Sequence, residues 1–229
     1  MENMLLDQFN FADLTHRLNP NVPTWSGSCG FCLEIKRDYD RVFRVQQIKL
    51  HAGVGTHMDA PAHRFEGGLS IAEIPLEKLI APLALLDVSG KAGETYLLSR
   101  EEIEAYESLH GQIAPGSLVI AYTGWSRFWT NPESYSNRMR YPAVSEEAAR
   151  LLLERNVVGL GIDTLSPDRP DSDFPVHRLL LGAGKYLIEN VADCAAVPPK
   201  GSFAMALPLF AEEAAEAPIR LLALTPKSL

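Results

Sequence analysis

The residues with the clearest chemical potential lie in one short stretch, residues 51–63, which reads His-Ala-Gly-Val-Gly-Thr-His-Met-Asp-Ala-Pro-Ala-His. It contains three of the six histidines of the chain and one aspartate. Imidazole nitrogens and carboxylate oxygens are common ligands of zinc and manganese, and histidine titrates near neutral pH. The composition of the stretch therefore points to metal binding and proton transfer.

The spacing within this stretch suits a shared site. Two glycines and Pro61 disfavour a helix, so we expect an extended chain in which His57 and Asp59 face the same side, about 6.6 Å apart. One cation could lie between them, and Pro61 would end the strand and turn His63 back toward it. A His-x-Asp pair also occurs as a surface salt bridge or a cap. Catalytic zinc typically takes three protein ligands, so other segments must supply more donors.

Composition restricts the class of protein. The 229 residues contain no internal repeat or linker-like run, so we expect one domain spanning residues 1–229. The net charge of −8 argues against a nucleic-acid-binding surface. No run approaches the roughly 18 apolar residues of a membrane span, and three cysteines are too few for a disulfide framework. We therefore expect a cytoplasmic protein that binds neither nucleic acid nor membranes.

Strands and helices that must position the stretch are intermixed along the chain. Residues 41–50 predict a strand that leads directly into it. Short apolar runs predict buried strands at residues 83–88, 117–122 and 157–162. Serine caps predict helices at residues 99–109 and 146–155. Because strict βαβ repetition is missing, we expect an α/β fold with a mixed sheet and helices packed on it.

The second half of the chain offers two further donors. His177 ends an apparent loop over residues 171–177, and Glu189 follows twelve residues later. Gly182 and Gly184 interrupt any continuous helix between them, so periodicity does not fix their relative direction. A histidine in such a position, taken by itself, is more often a structural or surface residue than a metal ligand.

Several motifs, taken in order, resemble the metal-dependent cyclase-like amidohydrolases, the family of bacterial kynurenine formamidase and isatin hydrolase. The family stretch His-x-Gly-Thr-His-x-Asp-x-Pro-x-His is matched from Gly55 to His63. The other matching segments are residues 13–16, 23–27, 123–125, 161–164, 174–177 and 218–220. The likeness therefore spans nearly the whole chain.

The resemblance implies a swivelling β/β/α fold and a divalent metal, zinc or manganese. The metal ligands that it implies are His57, Asp59, His177 and Glu189, and in that family the aspartate can bridge two ions. It also implies His63 as the general acid/base, Trp25 as an aromatic residue lining the pocket, and a homodimer or homotetramer. The implied partner is a small-molecule substrate. The aromatic residue in the pocket would suit an aromatic substrate.

One position departs from the family pattern. Where the family has its first histidine, this chain has Gly53. His51 lies two residues earlier on the same strand face but about 6.6 Å further along, so it could replace that ligand only if the backbone bulged. We expect one metal position to be complete and a second to be weakened, which leaves the number of ions open.

The implied reaction is hydrolysis of a C–N bond in an arylformamide or a cyclic amide. Metal-activated water would attack the carbonyl, and His63 would move the proton to the leaving nitrogen. Trp25, with Trp125 or Phe65 as weaker candidates, would form a flat wall for an aromatic substrate. Two alternatives stay open: hydrolysis of a lactone or another ester at the same centre, and a non-catalytic metal-binding or ligand-binding protein.

Overall fold

The computed structural model describes residues 5–39 and 42–227. Within them the chain forms twelve β-strands and five α-helices. The strands are β1 Phe9–Asp13, β2 Phe31–Arg37, β3 Val45–Leu50, β4 His57–Asp59, β5 Ile80–Asp87, β6 Leu97–Leu98, β7 Leu118–Tyr122, β8 Ala143–Val144, β9 Gly159–Ile162, β10 Tyr186–Glu189, β11 Ser202–Pro208 and β12 Glu216–Pro226. The helices are α1 Leu76–Leu79, α2 Arg100–His110, α3 Pro132–Ser136, α4 Glu146–Glu154 and α5 Pro175–Gly182. None of the helices in these ranges has the length and apolar character needed to cross a bilayer.

One eight-stranded sheet closes on itself and organises the molecule. Its order is β1-β12-β11-β5-β7-β9-β10-β4, and β4 pairs in turn with β12. The long strand β12 allows this closure, because one edge pairs with β11 while the other pairs first with β4 and then with β1. Strands β5, β7, β9 and β10 are parallel, and the remaining pairs are antiparallel. The mixed sheet confirms the predicted α/β class, whereas its closure was not predicted.

Side-chain alternation gives the closed sheet two apolar cores. Met58 and Ile188 point inward and belong to the core that fills the closed sheet. Leu187 points outward, into a second core beneath α2, α4 and α5. Because successive residues of a strand face opposite sides, the neighbours of Met58 and Ile188 along their strands also point outward. Polar residues at the edge of the outer core therefore face a surface that is partly covered by α5.

Most elements predicted from local patterns are present. The three apolar runs form β5, β7 and β9, and the two capped helices are α2 and α4. Ser99 accepts a hydrogen bond from the backbone N–H of Glu102, and Ser145 accepts one from Ala148, as N-cap residues do. Local chemistry therefore sets these helix starts.

One local prediction was confirmed only in part, and another was wrong. The predicted strand over residues 41–50 begins only at Val45, pairs with β2 as a separate hairpin, and is followed by turns before β4; Arg41 lies outside the described residues. The predicted loop over residues 171–177 ends earlier, because Pro175 starts α5 and places His177 in its first turn. Proline suits that position, since its missing N–H would have no partner there.

Candidate active site

Strand pairing brings four of the predicted donors together on the outer face of the closed sheet. His57 of β4 lies directly opposite Glu189 of β10, and Asp59 faces the same side two residues later. His177 approaches from α5, with its Nε2 atom 3.6 Å from Asp59 Oδ2 and 3.5 Å from Glu189 Oε1. All four side chains are buried. The pair His57 and Asp59 therefore converges on one point with the pair His177 and Glu189.

The donor separations suit a divalent metal ion. His57 Nε2 lies 3.5 Å from Asp59 Oδ1 and 3.4 Å from Glu189 Oε2. Ligands held about 2.1 Å from a tetrahedral metal are separated by about 3.4 Å, which is close to all four distances. Asp59 Oδ1 is buried and has no hydrogen-bond partner among the described residues. A buried carboxylate oxygen needs a partner, and a cation at this point would supply one.

The donors form two overlapping groups. One group contains His57, Asp59 and Glu189, and the other contains Asp59, His63 and His177. In each group the donor atoms all lie within 4.8 Å of one another. Because Asp59 belongs to both, its two oxygens could serve two adjacent metal positions. Zinc and manganese both accept this mixture of imidazole and carboxylate ligands.

Hydrogen bonds at Nδ1 direct both buried imidazoles toward the centre. The Nδ1 atom of His57 lies 2.9 Å from the carbonyl oxygen of Gly55, and that of His177 lies 2.7 Å from Asp168 Oδ2. With Nδ1–H donating to these acceptors, each Nε2 presents its lone pair to the centre. Gly55 has a positive φ of +67°, and a Cβ atom there would clash with Leu18 Cδ2. Only glycine suits this turn.

Asp168 contacts the predicted metal ligand His177 and was not predicted from the sequence. Its carboxylate accepts hydrogen bonds from the backbone N–H groups of Val176 and His177 as well as from the His177 ring. It therefore caps α5 and orients the imidazole at the same time. His177 lies nine positions after Asp168, and most of the chain between them is irregular, so no periodicity links them. The only local signal is an acidic residue upstream of a proline-initiated helix.

The carboxylates dominate the electrostatics of the centre. Burial lowers the pKa of His57, but Glu189 and Asp59 outweigh burial and raise that pKa to about 9. Burial likewise lowers the pKa of His177, while Asp168 and Asp59 raise it to about 10. Burial and the neighbouring Asp59 raise the pKa of Glu189. Without metal, both imidazoles therefore hold protons at neutral pH, and a bound cation would displace those protons and supply the positive charge.

A cleft of about 410 Å³ opens over these donors. His63 lines the cleft, with 35% of its side chain exposed and its ring 5.9 Å from that of His177. Trp25 and Phe174 also line the cleft, with ring centroids 6.1 Å apart. The predicted acid/base and the predicted aromatic residue thus share one cavity with three of the four predicted metal ligands, His57, His177 and Glu189.

Three residues considered from the sequence lie elsewhere. His51 is exposed and belongs to neither donor group. Trp125 is buried and donates its Nε1–H to the Tyr135 carbonyl, and Phe65 does not line the cleft. Phe174 occupies the second aromatic position instead. Its segment was predicted as a loop, and its left-handed φ of 55° becomes visible only in the folded chain.

Comparison with known proteins provides evidence about the family of this chain that does not depend on the geometry of the site. A family model named Cyclase and described as "Putative cyclase" matches residues 12–169. The isatin hydrolase of Roseibium aggregatum is 29% identical over 251 aligned positions, which cover 98% of this chain and 95% of that protein. The kynurenine formamidase of Bacillus cereus is 24% identical, and the alignment covers 92% of this chain and 95% of that enzyme.

Solved structures agree with the sequence comparisons. Isatin hydrolase A from Labrenzia aggregata, bound to benzyl benzoate, has a TM-score of 0.87 and 30% identity, with 96% of this chain and 95% of that chain covered. A structure described as a potential metal-dependent hydrolase with cyclase activity has a TM-score of 0.77 and 26% identity, with 96% and 100% covered. The similarity over nearly the whole length confirms the predicted fold.

Proposed function

The chain belongs to the cyclase family, and we propose that it is a metal-dependent hydrolase of a small amide, either an arylformamide or a cyclic amide. One observation carries the proposal. Two imidazoles and two carboxylates converge with donor separations of 3.4–3.6 Å at the base of a cleft that another imidazole and two aromatic rings line. That arrangement combines metal donors, a proton carrier and a binding wall.

The metal ligands in this proposal are His57, Asp59, His177 and Glu189, and the metal is zinc or manganese. When bound, the metal makes a water molecule acidic enough to supply hydroxide near neutral pH and polarises the substrate carbonyl. The protein holds the two imidazoles with their Nε2 atoms toward the centre through the Gly55 carbonyl and Asp168.

His63 is the proposed general acid/base. It lines the cleft beside His177 but is partly exposed, so its imidazole can exchange protons with the substrate and with solvent. It takes a proton from the attacking water and delivers it to the leaving nitrogen as the C–N bond breaks. The same imidazole returns to its neutral state, so the cycle closes without a further proton donor.

Trp25 and Phe174 form the proposed substrate wall. A cleft of about 410 Å³ admits a small molecule rather than a polymer, and aromatic rings provide flat apolar surface for an aromatic substrate. The names of two relatives, isatin hydrolase and kynurenine formamidase, support a small amide substrate.

The proposal extends to the assembly and the compartment. A homodimer or homotetramer is supported by exposed apolar side chains on the β2–β3 hairpin, including Leu33, Ile35 and Ile48. A cytoplasmic location is supported by three unpaired cysteines. Light scattering on the purified protein tests the assembly.

A metal analysis and a substrate panel test the function. Protein purified without chelator should contain one or two divalent ions per chain, and a variant carrying both His57→Ala and Asp59→Ala should contain none. The panel pairs arylformamides and cyclic amides with the matching esters and lactones. His63→Ala should retain at least one ion per chain and lose about 10²- to 10⁴-fold in kcat on amides, while His51→Ala, in the same stretch, should match wild type.

The panel also separates the alternatives. Turnover of esters or lactones alone would make the amide proposal wrong. Stoichiometric metal without turnover of any panel member would identify a binding protein instead of an enzyme.

A further inference from the structure

Glu216 places a carboxylate in the cleft, and this side chain has no role in the proposed reaction. It begins β12 and lies directly opposite Asp59 in the β4–β12 pair. Residues opposed in an antiparallel pair project to the same face of the sheet. Because Asp59 faces the metal donors, Glu216 faces the same centre, and it lines the cleft.

Gly53 creates the space that the Glu216 carboxylate occupies. A Cβ atom at position 53 would lie 2.7 Å from Glu216 Oε1 and 3.3 Å from His57 Nε2. The first distance is shorter than non-bonded carbon and oxygen atoms tolerate, so even alanine at position 53 would push the carboxylate aside. The absence of a side chain at one position thus determines where another side chain can lie.

The carboxylate is directed at His63. Glu216 Oε1 lies 3.5 Å from His63 Nδ1, and His63 is its only ion-pair partner among the described residues. Glu216 belongs to neither group of metal donors. An imidazole whose Nδ1–H faces a carboxylate keeps Nε2 free to accept a proton, and the carboxylate stabilises the imidazolium that forms.

We propose that Glu216, admitted by Gly53, is a positioning residue that holds His63 with Nδ1–H toward its carboxylate and Nε2 toward the substrate. The inference rests on the proposed function for its kinetic consequence. In the reaction, His63 Nε2 gains the proton of the attacking water and loses it to the leaving nitrogen, and no proton passes to Glu216.

Kinetics on the metal-loaded enzyme test the pair. Glu216→Ala removes the carboxylate, and Gly53→Ala displaces it without removing it. Each should lower kcat by about 10- to 100-fold, as loss of an orienting partner does, with KM and metal content retained. The variant carrying both changes should be no slower than the slower single variant, because both remove the same contact. Glu212→Ala, an exposed acid four residues away, is the matched control and should match wild type.

The tautomer of His63 gives a readout that does not depend on turnover. Nitrogen NMR of metal-loaded protein labelled only at histidine should show the Nδ1–H form of His63 in wild type. Both tautomers should appear in Glu216→Ala and in Gly53→Ala. The His63 signal is assigned by its loss in His63→Ala.

The outcomes separate the two proposals. If Glu216→Ala loses metal, Glu216 is a ligand and the positioning role is wrong. If wild type and Glu216→Ala share the same His63 tautomer and the same kcat, the positioning role of Glu216 is also wrong. A wild-type protein without activity on any amide would overturn the proposed function, while the tautomer comparison would still decide the role of Glu216.

Discussion

His57 and Glu189 lie directly opposite each other in the β4–β10 pair, with Nε2 and Oε2 3.4 Å apart. They are more than 130 residues apart in sequence. The hydrogen bond from the Thr56 hydroxyl to the Asn190 carbonyl joins the same two segments. The register of two short strands therefore sets a ligand separation that a divalent metal requires. A one-residue slip of either strand would turn its donors into the closed sheet.

We expect Glu189→Gln to weaken metal binding by about a hundredfold or more. The amide keeps the size of the side chain but removes a negative charge and one anionic donor, and loss of an outer partner alone costs about 10- to 100-fold. Chelator competition measures the affinity. Glu154→Gln, on the exposed end of α4, is the control. Equal affinity in the Glu189 and Glu154 variants would exclude Glu189 as a ligand.

We expect Asp168→Asn to lower metal affinity by about 10- to 100-fold and to destabilise the fold by about 1–3 kcal/mol. The carboxylate holds the His177 ring and caps two backbone N–H groups of α5, and the neutral amide replaces one acceptor oxygen with a donor. Titration calorimetry and denaturant unfolding measure the two effects. Asp173→Asn, exposed on the same loop, should change neither. Wild-type metal affinity in Asp168→Asn would remove Asp168 from the centre.

Metal affinity should fall as pH falls. In the metal-free protein the pKa of His57 is about 9 and that of His177 about 10, so at pH 7 both imidazoles bind protons that the metal must displace. Below about pH 9, each displaced proton lowers the apparent affinity about tenfold per pH unit. Calorimetry in buffers of different ionisation enthalpy counts the protons released. No proton release at pH 7 would contradict the raised pKa values.

Metal removal should destabilise the folded chain. A metal present at a thousandfold excess over its Kd contributes about 4 kcal/mol to the free energy of unfolding. For a chain of this size that corresponds to a fall in Tm of roughly 10 °C after chelation. Scanning calorimetry with and without chelator measures the shift, and adding zinc or manganese should restore it. The variant carrying both His57→Ala and Asp59→Ala is the control and should show no response to chelator.

Trp25→Ala should raise KM for aromatic amides about tenfold and leave metal content unchanged. The indole lines the cleft and is 46% exposed, so its removal takes contact area from the substrate without opening the core. Steady-state kinetics on aromatic and aliphatic amides measure the effect, which should be smaller for the aliphatic series. Tyr39→Ala, an exposed aromatic on the β2–β3 hairpin, provides the comparison. An equal loss for both series would argue against an aromatic wall.

Local sequence alone specifies the features that depend on near neighbours. Strand alternation places His57 and Asp59 on one face, and Pro61 begins a short 3-10 turn that brings His63 to the cleft. The serine caps at positions 99 and 145 set two helix starts. Each of these follows from backbone geometry or from hydrogen bonds over a few residues, which a local pattern encodes.

Long-range packing selects which distant residues meet. β4 is three residues long, and nothing within it specifies that β10 and β12 will be its neighbours. The closed sheet makes that choice, because its strands pair where the buried faces of the whole chain fit together. The contact of Asp168 with His177 and that of Glu216 with His63 depend on the same long-range packing. Residue type therefore indicated the chemistry, while sheet register and loop path selected the partners that orient it.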